Sequence, residues 1–330
     1  RWIEEFARRA KQVFVIAQSV GEYHVPSNVI VYSLGKERGY GKPRQLFHLY
    51  KYFFHIMPKV DAIFVHMIPL WLVLGYPVGW IFNKNFYLWY VHKSITPMLR
   101  IAEWFAVKIF TASDQSFRLP SKKIEIVGHG IDVDKFQTQN KNAGVRSHNA
   151  KFQIITAGRI SASKNLDFFI TIANILKYRA FDFEIKIAGA PITTTDKKYF
   201  HILQQSIITN HLEHIIEFVG PIPYQKIETF YQKGDLFVNF SSTGSVDKAV
   251  LEAMSCGLNV LTSNEAFFSM LPKEHIVREM GCEKIAEQIM GFSAHRVLRH
   301  DLRAIVLRDH NLENLIAKLY DGFLPEKIKF

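Results

Sequence analysis

Short apolar runs alternate with longer mixed ones along this chain. Residues 12–17, 28–33, 61–67, 86–91, 108–112 and 123–127 are mostly apolar, rich in Val, Ile and aromatic side chains, as in strands covered on both faces. Residues 2–11, 45–57 and 95–107 instead space their apolar positions as helices do; Ile101, Trp104, Phe105 and Val107 recur on one side. From Thr138 to Ala150 the rhythm stops in a run of Gln, Asn, Lys, Gly, Ser and His, which reads as an exposed linker. It then restarts with strands at 152–157, 183–188, 215–219, 236–239 and 259–262, helices at 166–178, 197–209, 225–232 and 246–255 between them, and a largely helical stretch over 282–319. The pattern predicts an α/β chain of two doubly wound, Rossmann-like domains built on parallel sheets. Boundaries fall at 1–143 and 144–300, with 301–330 a helical segment that packs back on the first domain.

Composition adds to that picture. With 48% hydrophobic and 22% charged residues, a disordered chain is excluded, and 330 residues suit two domains of ordinary size. The 41 Lys and Arg exceed the 30 Asp and Glu by 11. Residues 1–150 hold 20 basic and 10 acidic side chains, net +10; residues 151–330 hold 21 and 20, net +1. The first half therefore suits an anionic partner such as phospholipid headgroups or a phosphorylated substrate. Nucleic acid would rest on charge alone, since no nucleic-acid-binding module is recognisable. The two cysteines, Cys256 and Cys282, cannot build a disulfide framework or a zinc site, and a cytoplasmic, reducing setting follows.

Residues 62–82 carry no Lys, Arg, Asp or Glu and approach the length of a membrane span. His66, Pro69, Gly75, Pro77 and Gly79 interrupt them, so they read as a buried strand, a proline break and an apolar helix. Peripheral contact of the basic, aromatic first half with a membrane surface is favoured over a span. No signal-peptide pattern is visible; the chain starts at Arg1, within a helix-like run, and a preceding segment is expected.

Two segments carry chemistry. In Ala157-Gly-Arg-Ile-Ser-Ala-Ser-Lys-Asn-Leu166 a strand ends at Gly158, Arg159 and Lys164 flank a Ser-containing loop, and a helix follows. Cations at a strand end and helix start suit a diphosphate; two surface cations and a serine cap are the alternative. In Ser241-Ser-Thr-Gly-Ser-Val-Asp-Lys-Ala-Val-Leu-Glu-Ala-Met-Ser-Cys-Gly257 a turn through Gly244 should aim the N–H groups of Ser245, Val246 and Asp247 at an anion. Glu252 then stands among apolar helix residues, where a carboxylate needs partners. A ribose diol would serve, and so would a structural ion pair with a nearby Lys or Arg.

Taken together, the strand-Gly-Arg-loop-Lys element and the later Leu-Glu-Ala-Met-x-Cys-Gly helix resemble family 4 of the nucleotide-sugar-dependent glycosyltransferases, which have the GT-B fold: two Rossmann-like domains facing across a cleft. Val127-Gly-His-Gly-Ile-Asp-Val-Asp-Lys-Phe136, Phe110-Thr-Ala-Ser113 and Phe218-Val-Gly-Pro-Ile-Pro223 resemble further landmarks of that family. The resemblance implies a hexosyltransferase acting on a UDP- or GDP-sugar, with retention and without a bound metal. The acceptor would be a glycan or lipid-linked sugar, as in cell-envelope polysaccharide synthesis, at the inner membrane surface. Arg159 and Lys164 would hold the diphosphate, Glu252 the ribose, Gly220, Pro221 and Ile222 would lie beside the nucleobase, and Gly244 to Lys248 would form the turn against the donor. His92 matches a histidine near the transferred sugar.

The chain departs from the family pattern twice. Gly244 stands where the first Glu of the family's Glu-x7-Glu motif belongs, and Asp247 or Lys248 is a candidate substitute. The family's first strand and Gly-rich loop have no counterpart ahead of Trp2, so the first sheet should lack its central strand. Gly244 and that missing strand favour the alternative of a nucleotide- or membrane-binding module without turnover. Gly35-Lys-Glu-Arg-Gly-Tyr-Gly-Lys-Pro43 is no phosphate-binding loop, because Pro43 stands where Ser or Thr must hold magnesium. Asp132-Val-Asp134 reads as loop structure, and Tyr50 to His55 form an aromatic–basic cluster on the expected acceptor side.

Overall fold

The computed structural model describes residues 1–138, 150–294 and 296–323; most of the expected linker, 139–149, lies outside them. The chain divides into two compact units, residues 1–130 with 312–330, and residues 131–311. This differs from the boundaries expected at 143 and 300. Residues 131–136 stay with the second unit because the Phe136 carbonyl accepts from Ser255 Oγ at 2.7 Å and from Arg303 at 2.6 Å.

In the first unit, helix α1 (Trp2–Arg9) precedes the parallel pair β1 (Val13–Ala17) and β2 (Val29–Ser33). Helix α2 (Lys42–Ile56) leads to a four-stranded parallel sheet: β3 (Ala62–His66), α3 (Pro69–Ile81), β4 (Asn85–Trp89), α4 (Pro97–Phe105), β5 (Ala106–Thr111) and β6 (Ile124–Ile126). Among the described residues no strand joins the two-stranded sheet to the four-stranded one. The strand–break–helix reading of 62–82 matches β3 and α3, and no described helix is long and apolar enough to cross a membrane.

Strand β4 shows why its run is apolar throughout. Phe86 and Leu88 face the α2–α4 core, and a Cβ on Gly79 of α3 would lie 2.1 Å from the Phe86 ring. Tyr87 points the other way and donates to the Phe323 carbonyl at 3.1 Å. Phe323 ends α11 (Leu312–Phe323), which thus returns to the first sheet; the 15-residue α2 is mixed, with Leu49 and Phe53 buried but Lys51, Phe54 and His55 exposed. The Tyr50–His55 cluster is therefore half core and half surface.

The second unit is a five-stranded parallel sheet in the order β11-β10-β7-β8-β9. Its elements are β7 (Phe152–Ala157), α5 (Asp167–Tyr178), β8 (Phe183–Ala188), α6 (Thr194–Thr209), β9 (Ile216–Gly220), α7 (Ile227–Lys233), β10 (Leu236–Asn239), α8 (Lys248–Ser255) and β11 (Asn259–Thr262). Helices α9 (Cys282–Ser293) and α10 (His300–Asp309) complete it. Ile154, Ile185 and Val238 pack with Phe169, Leu176 and Ile289 in one core. In this doubly wound order the strands' C-terminal ends share one edge, and the segments singled out from sequence lie there.

Candidate functional site

Glycines close three neighbouring strands: Gly158 and Gly189 directly follow β7 and β8, and Gly220 is the last residue of β9. Gly158 (φ +145°), Gly189 (φ +141°) and Gly220 (φ +76°) all adopt backbone closed to most side chains. The Gly158 N–H donates to the Ala188 carbonyl and the Gly189 N–H to the Gly220 carbonyl, both at 2.9 Å. A Cβ on Gly189 would sit 1.8 Å from the Gly158 oxygen. The chain can approach itself this closely only without side chains, and the result is a bare backbone shelf at the sheet edge. Sequence reading singled out Gly158 and Gly220; Gly189, in the same Ala-Gly context as Gly158, was missed.

Past the shelf the chain turns through Arg159 into a single 3-10 turn, Ala162–Lys164, closed by Asn165 in the left-handed region (φ +48°). Asn165 Nδ2 donates to the Phe240 carbonyl at 2.9 Å, and the Ser242 N–H to the Ser163 carbonyl at 3.1 Å. These bonds tie the cationic loop to the end of β10. Arg159, Gly158, Lys164, Ala188, Asn239 and Phe240 line one small depression there.

Each cation has an acid beside it. Arg159 Nε lies 3.9 Å from Asp196 Oδ2. Asp196 is fixed in turn by the capping box at the start of α6, accepting from the Thr193 N–H at 3.0 Å. That bond, with help from Arg159, holds its carboxyl below the usual carboxylate range. Lys164 Nζ pairs with Asp247 Oδ2, which also accepts from Asn239 Nδ2 at 3.0 Å. Asn239 Oδ1 accepts from Thr262 Oγ1 at 3.2 Å, so the end of β10 carries the network across to β11. Arg159, Lys164 and Asp247 were singled out from sequence, but not their pairings, nor Asp196 or Asn239.

Helix α8 begins at Lys248, two residues later than expected, because the Asp247 side chain caps it by accepting from the Ala249 N–H at 3.3 Å. The turn before it passes through Gly244 at φ +65°, and the Ser245 carbonyl accepts from Asn264 Nδ2 at 2.8 Å. Asp247 is thus helix cap and lysine partner at once.

Glu252 is buried one turn into α8. Its Oε2 accepts from the Tyr231 hydroxyl of α7 at 2.9 Å, and its Oε1 lies 3.8 Å from Lys248 Nζ. The partner left open by the sequence is therefore, in this structure, a tyrosine and a lysine. Burial pushes the Glu252 carboxyl above the usual carboxylate range, against the pull of Lys248 and the Tyr231 hydroxyl. Burial, then the adjacent Glu252, pushes the Tyr231 phenol far up. Lys248 also stands 5.5 Å from the centre of the Tyr224 ring and Lys135 4.2 Å from it. Tyr224 follows Gly220, Pro221 and Ile222 on the loop after β9, so this loop reaches the Glu252 cluster.

A carboxyl whose native pKa is raised holds its proton to higher pH in the folded state than in the unfolded one. Its burial penalty is absent at low pH and complete above the raised pKa, so stability falls as pH rises through that window. Glu252→Gln keeps an acceptor for Tyr231 without the charge. It should melt on the order of 2–4 °C higher than the parent at pH 8, a gain that disappears near pH 4; calorimetry across pH checks this, and a gain independent of pH would contradict it.

His92, the remaining expected site residue, belongs to the first unit. Strand β4 ends at Trp89, so His92 lies three residues beyond the strand, not at its end. It is exposed in the first unit, and its Nδ1 accepts from the Ser94 N–H at 3.0 Å.

Residues 137–276 match the family described as glycosyl transferases group 1. The matched stretch contains Arg159 and Lys164, on the loop after β7, and Glu252, within α8. The fold of the chain is GT-B. HepE of Anabaena, crystallised with UDP, aligns with a TM-score of 0.76 at 15% identity over 97% of this chain and 94% of that one. Sucrose-phosphate synthase of Thermosynechococcus elongatus gives 0.74 at 14% identity over 98% and 90%. The GPI3 subunit of the phosphatidylinositol N-acetylglucosaminyltransferase of Saccharomyces cerevisiae is 21% identical over 201 residues, 60% of this chain and 42% of that protein. The alpha-galactosylglucosyldiacylglycerol synthase of Streptococcus pneumoniae is 21% identical over 62% of this chain and 56% of its own length. The chain thus spans about half the length of the curated relatives it matches.

Proposed function

We propose that this protein transfers a sugar from a nucleotide diphosphate sugar to an acceptor hydroxyl. The observation that carries the reading is the pairing, at one sheet edge, of a bare glycine shelf with Arg159 and Lys164. A diphosphate laid on the shelf would meet both cations and replace Asp247 as the partner of Lys164. Fixed positive charge there stabilises the charge that develops on the leaving nucleotide, the task a metal performs elsewhere; this reaction needs none. Glu252, held by Tyr231 with its second oxygen toward Lys248, takes the ribose hydroxyls, and the loop from Gly220 through Ile222 flanks the base. The UDP and UDP-glucose held by HepE crystals support a uridine donor.

Transfer proceeds with retention. The bond from the anomeric carbon to the diphosphate breaks, the acceptor oxygen bonds on the same face, and the acceptor proton passes to the departing phosphate oxygen. The resemblance assigns His92 to the transferred sugar, and Asp247 or Lys248 takes the place of the carboxylate missing at Gly244. The acceptor is a lipid-linked sugar or glycan, reached with the basic first unit against the cytoplasmic face of a membrane. Two curated relatives are named for glycolipid products or phosphatidylinositol substrates, which supports this choice.

A thermal-shift panel of UDP-, GDP- and ADP-sugars tests the donor, because a ligand of the native state alone raises the melting temperature by mass action. One nucleotide series should stabilise the protein, and release of free nucleotide diphosphate in the presence of lipid acceptor should follow. No shift with any of them would end the reading. A shift without release would favour the second one, a binding module without turnover, which rests on the missing carboxylate at Gly244.

A further inference from the structure

The first unit carries a surface that its fold does not explain. Along α2, Arg44, Phe47, Lys51 and Phe54 follow one another at steps of three, four and three, so they share one helix face. Phe47 is 67% exposed and Phe54 51%. The face continues onto α3. Gly75 lets the two helices meet closely, since a Cβ there would lie 2.9 Å from the Phe53 ring. At the end of α3 Phe54 contacts Phe82 edge-on, with ring centres 6.3 Å apart, and Trp80 (73% exposed) and Ile81 (61%), which precede Phe82 in the chain, are open to water. Large apolar groups so open to water need a partner.

The charge beside them is of one sign. From Arg38 to Ala102 the sequence has eight basic residues, Arg38, Lys42, Arg44, Lys51, Lys59, Lys84, Lys93 and Arg100, and one acid, Asp61. Among the described residues Lys42, Arg44 and Lys51 have no acidic partner. A helix lying flat with cations interleaved among Phe, beside a Trp at the end of the next helix, is the pattern of an interfacial segment rather than a spanning one.

We infer that the α2–α3 face of the first unit docks on an anionic lipid bilayer, with Phe47, Phe54, Trp80 and Ile81 entering the headgroup boundary and Arg44, Lys51 and their neighbours facing the phosphates. The inference rests on the reading of this unit as membrane-facing and names the surface; it does not depend on sugar transfer. Charge selects the bilayer over a second copy of the chain, which would bring like charge against like, and over a neutral bilayer, which would leave the cations unanswered.

The test is sedimentation of the full chain with vesicles of phosphatidylcholine, with and without phosphatidylglycerol, in moderate salt. The parent should bind the anionic vesicles and leave the neutral ones. Phe54→Ser with Trp80→Ser, and separately Arg44→Glu with Lys51→Glu, should each lower partitioning about tenfold or more. Tyr178→Ser, an exposed aromatic of the second unit, should not. UDP binding measured on the same variants should be unchanged, so a failure of the donor reading is seen separately. Absence of vesicle binding by the parent overturns the inference, as does binding that both double variants retain; the latter would assign these residues to a protein partner.

Discussion

Lys164→Ala and Arg159→Ala should each lower the affinity for UDP by about two orders of magnitude. A hydrogen bond to a charged group contributes about 1.5–3 kcal/mol, or roughly 10- to 150-fold in affinity. For Lys164 the loss should lie at the upper end. Its removal leaves the Asp247 carboxylate, still bonded to Asn239 and the α8 cap, facing the incoming diphosphate without its counter-charge. Asp247→Asn in the Lys164→Ala background should therefore recover part of the affinity. Titration calorimetry with UDP reads all three variants, and affinities within about threefold of the parent for both alanine variants would remove the diphosphate role. In the absence of nucleotide Arg159→Ala should melt close to the parent, because Arg159 is about half exposed and its contact with Asp196 is long, whereas Lys164→Ala should melt lower, because Lys164 and Asp247 are both largely buried and the carboxylate is left without its counter-charge.

The second large effect concerns stability. Gly189→Ala should cost about 4 kcal/mol or more, at the far end of what single substitutions do. Two causes add. At φ +141° the backbone is closed to alanine, and the new Cβ would stand 1.8 Å from the Gly158 oxygen. The strands cannot separate to relieve this without breaking the bond from the Gly158 N–H to Ala188. Gly220→Ala makes the contrast: it also has positive φ, +76°, but nothing lies within 4 Å of its added Cβ, so its cost should be about 1 kcal/mol. Urea midpoints of the two variants compare them directly. Equal losses would show that the close approach of β7 and β8 is not what holds the shelf.

The buried strands were the most legible part of the chain. The runs at 152–157, 183–188, 236–239 and 259–262 are the strands β7, β8, β10 and β11 residue for residue, because buried apolar side chains such as Ile154, Ile185, Val238 and Leu261 recur along them and stop where the chain meets water. Helix starts were less legible. The expected helix at 197 begins at Thr194, and the one expected at 246 begins at Lys248. Both are set by capping side chains, Thr193 with Asp196 and Asp247, whose choice between capping and another partner is made by what lies nearby in space.

The site followed the same division. Gly158, Arg159, Lys164 and Glu252 could be picked out because their local setting is odd: cations at a strand end, an acid in an apolar helix. Their partners could not. Asp247 is 83 residues from Lys164, Tyr231 is 21 from Glu252, and Asp196 has the look of an ordinary helix-start acid.

By itself, then, the sequence determined the two parallel α/β halves, the positive bias of the first and the positions where charge meets a strand end, since all of these follow from local pattern and burial. Tertiary structure alone decided that β7, β8 and β9 finish in a shared glycine shelf, that each cation is held by an acid, and that α2 turns Phe47 and Phe54 outward while burying Leu49 and Phe53. Those facts depend on which strands lie side by side and which helix face meets the sheet, and no single stretch of chain contains that information.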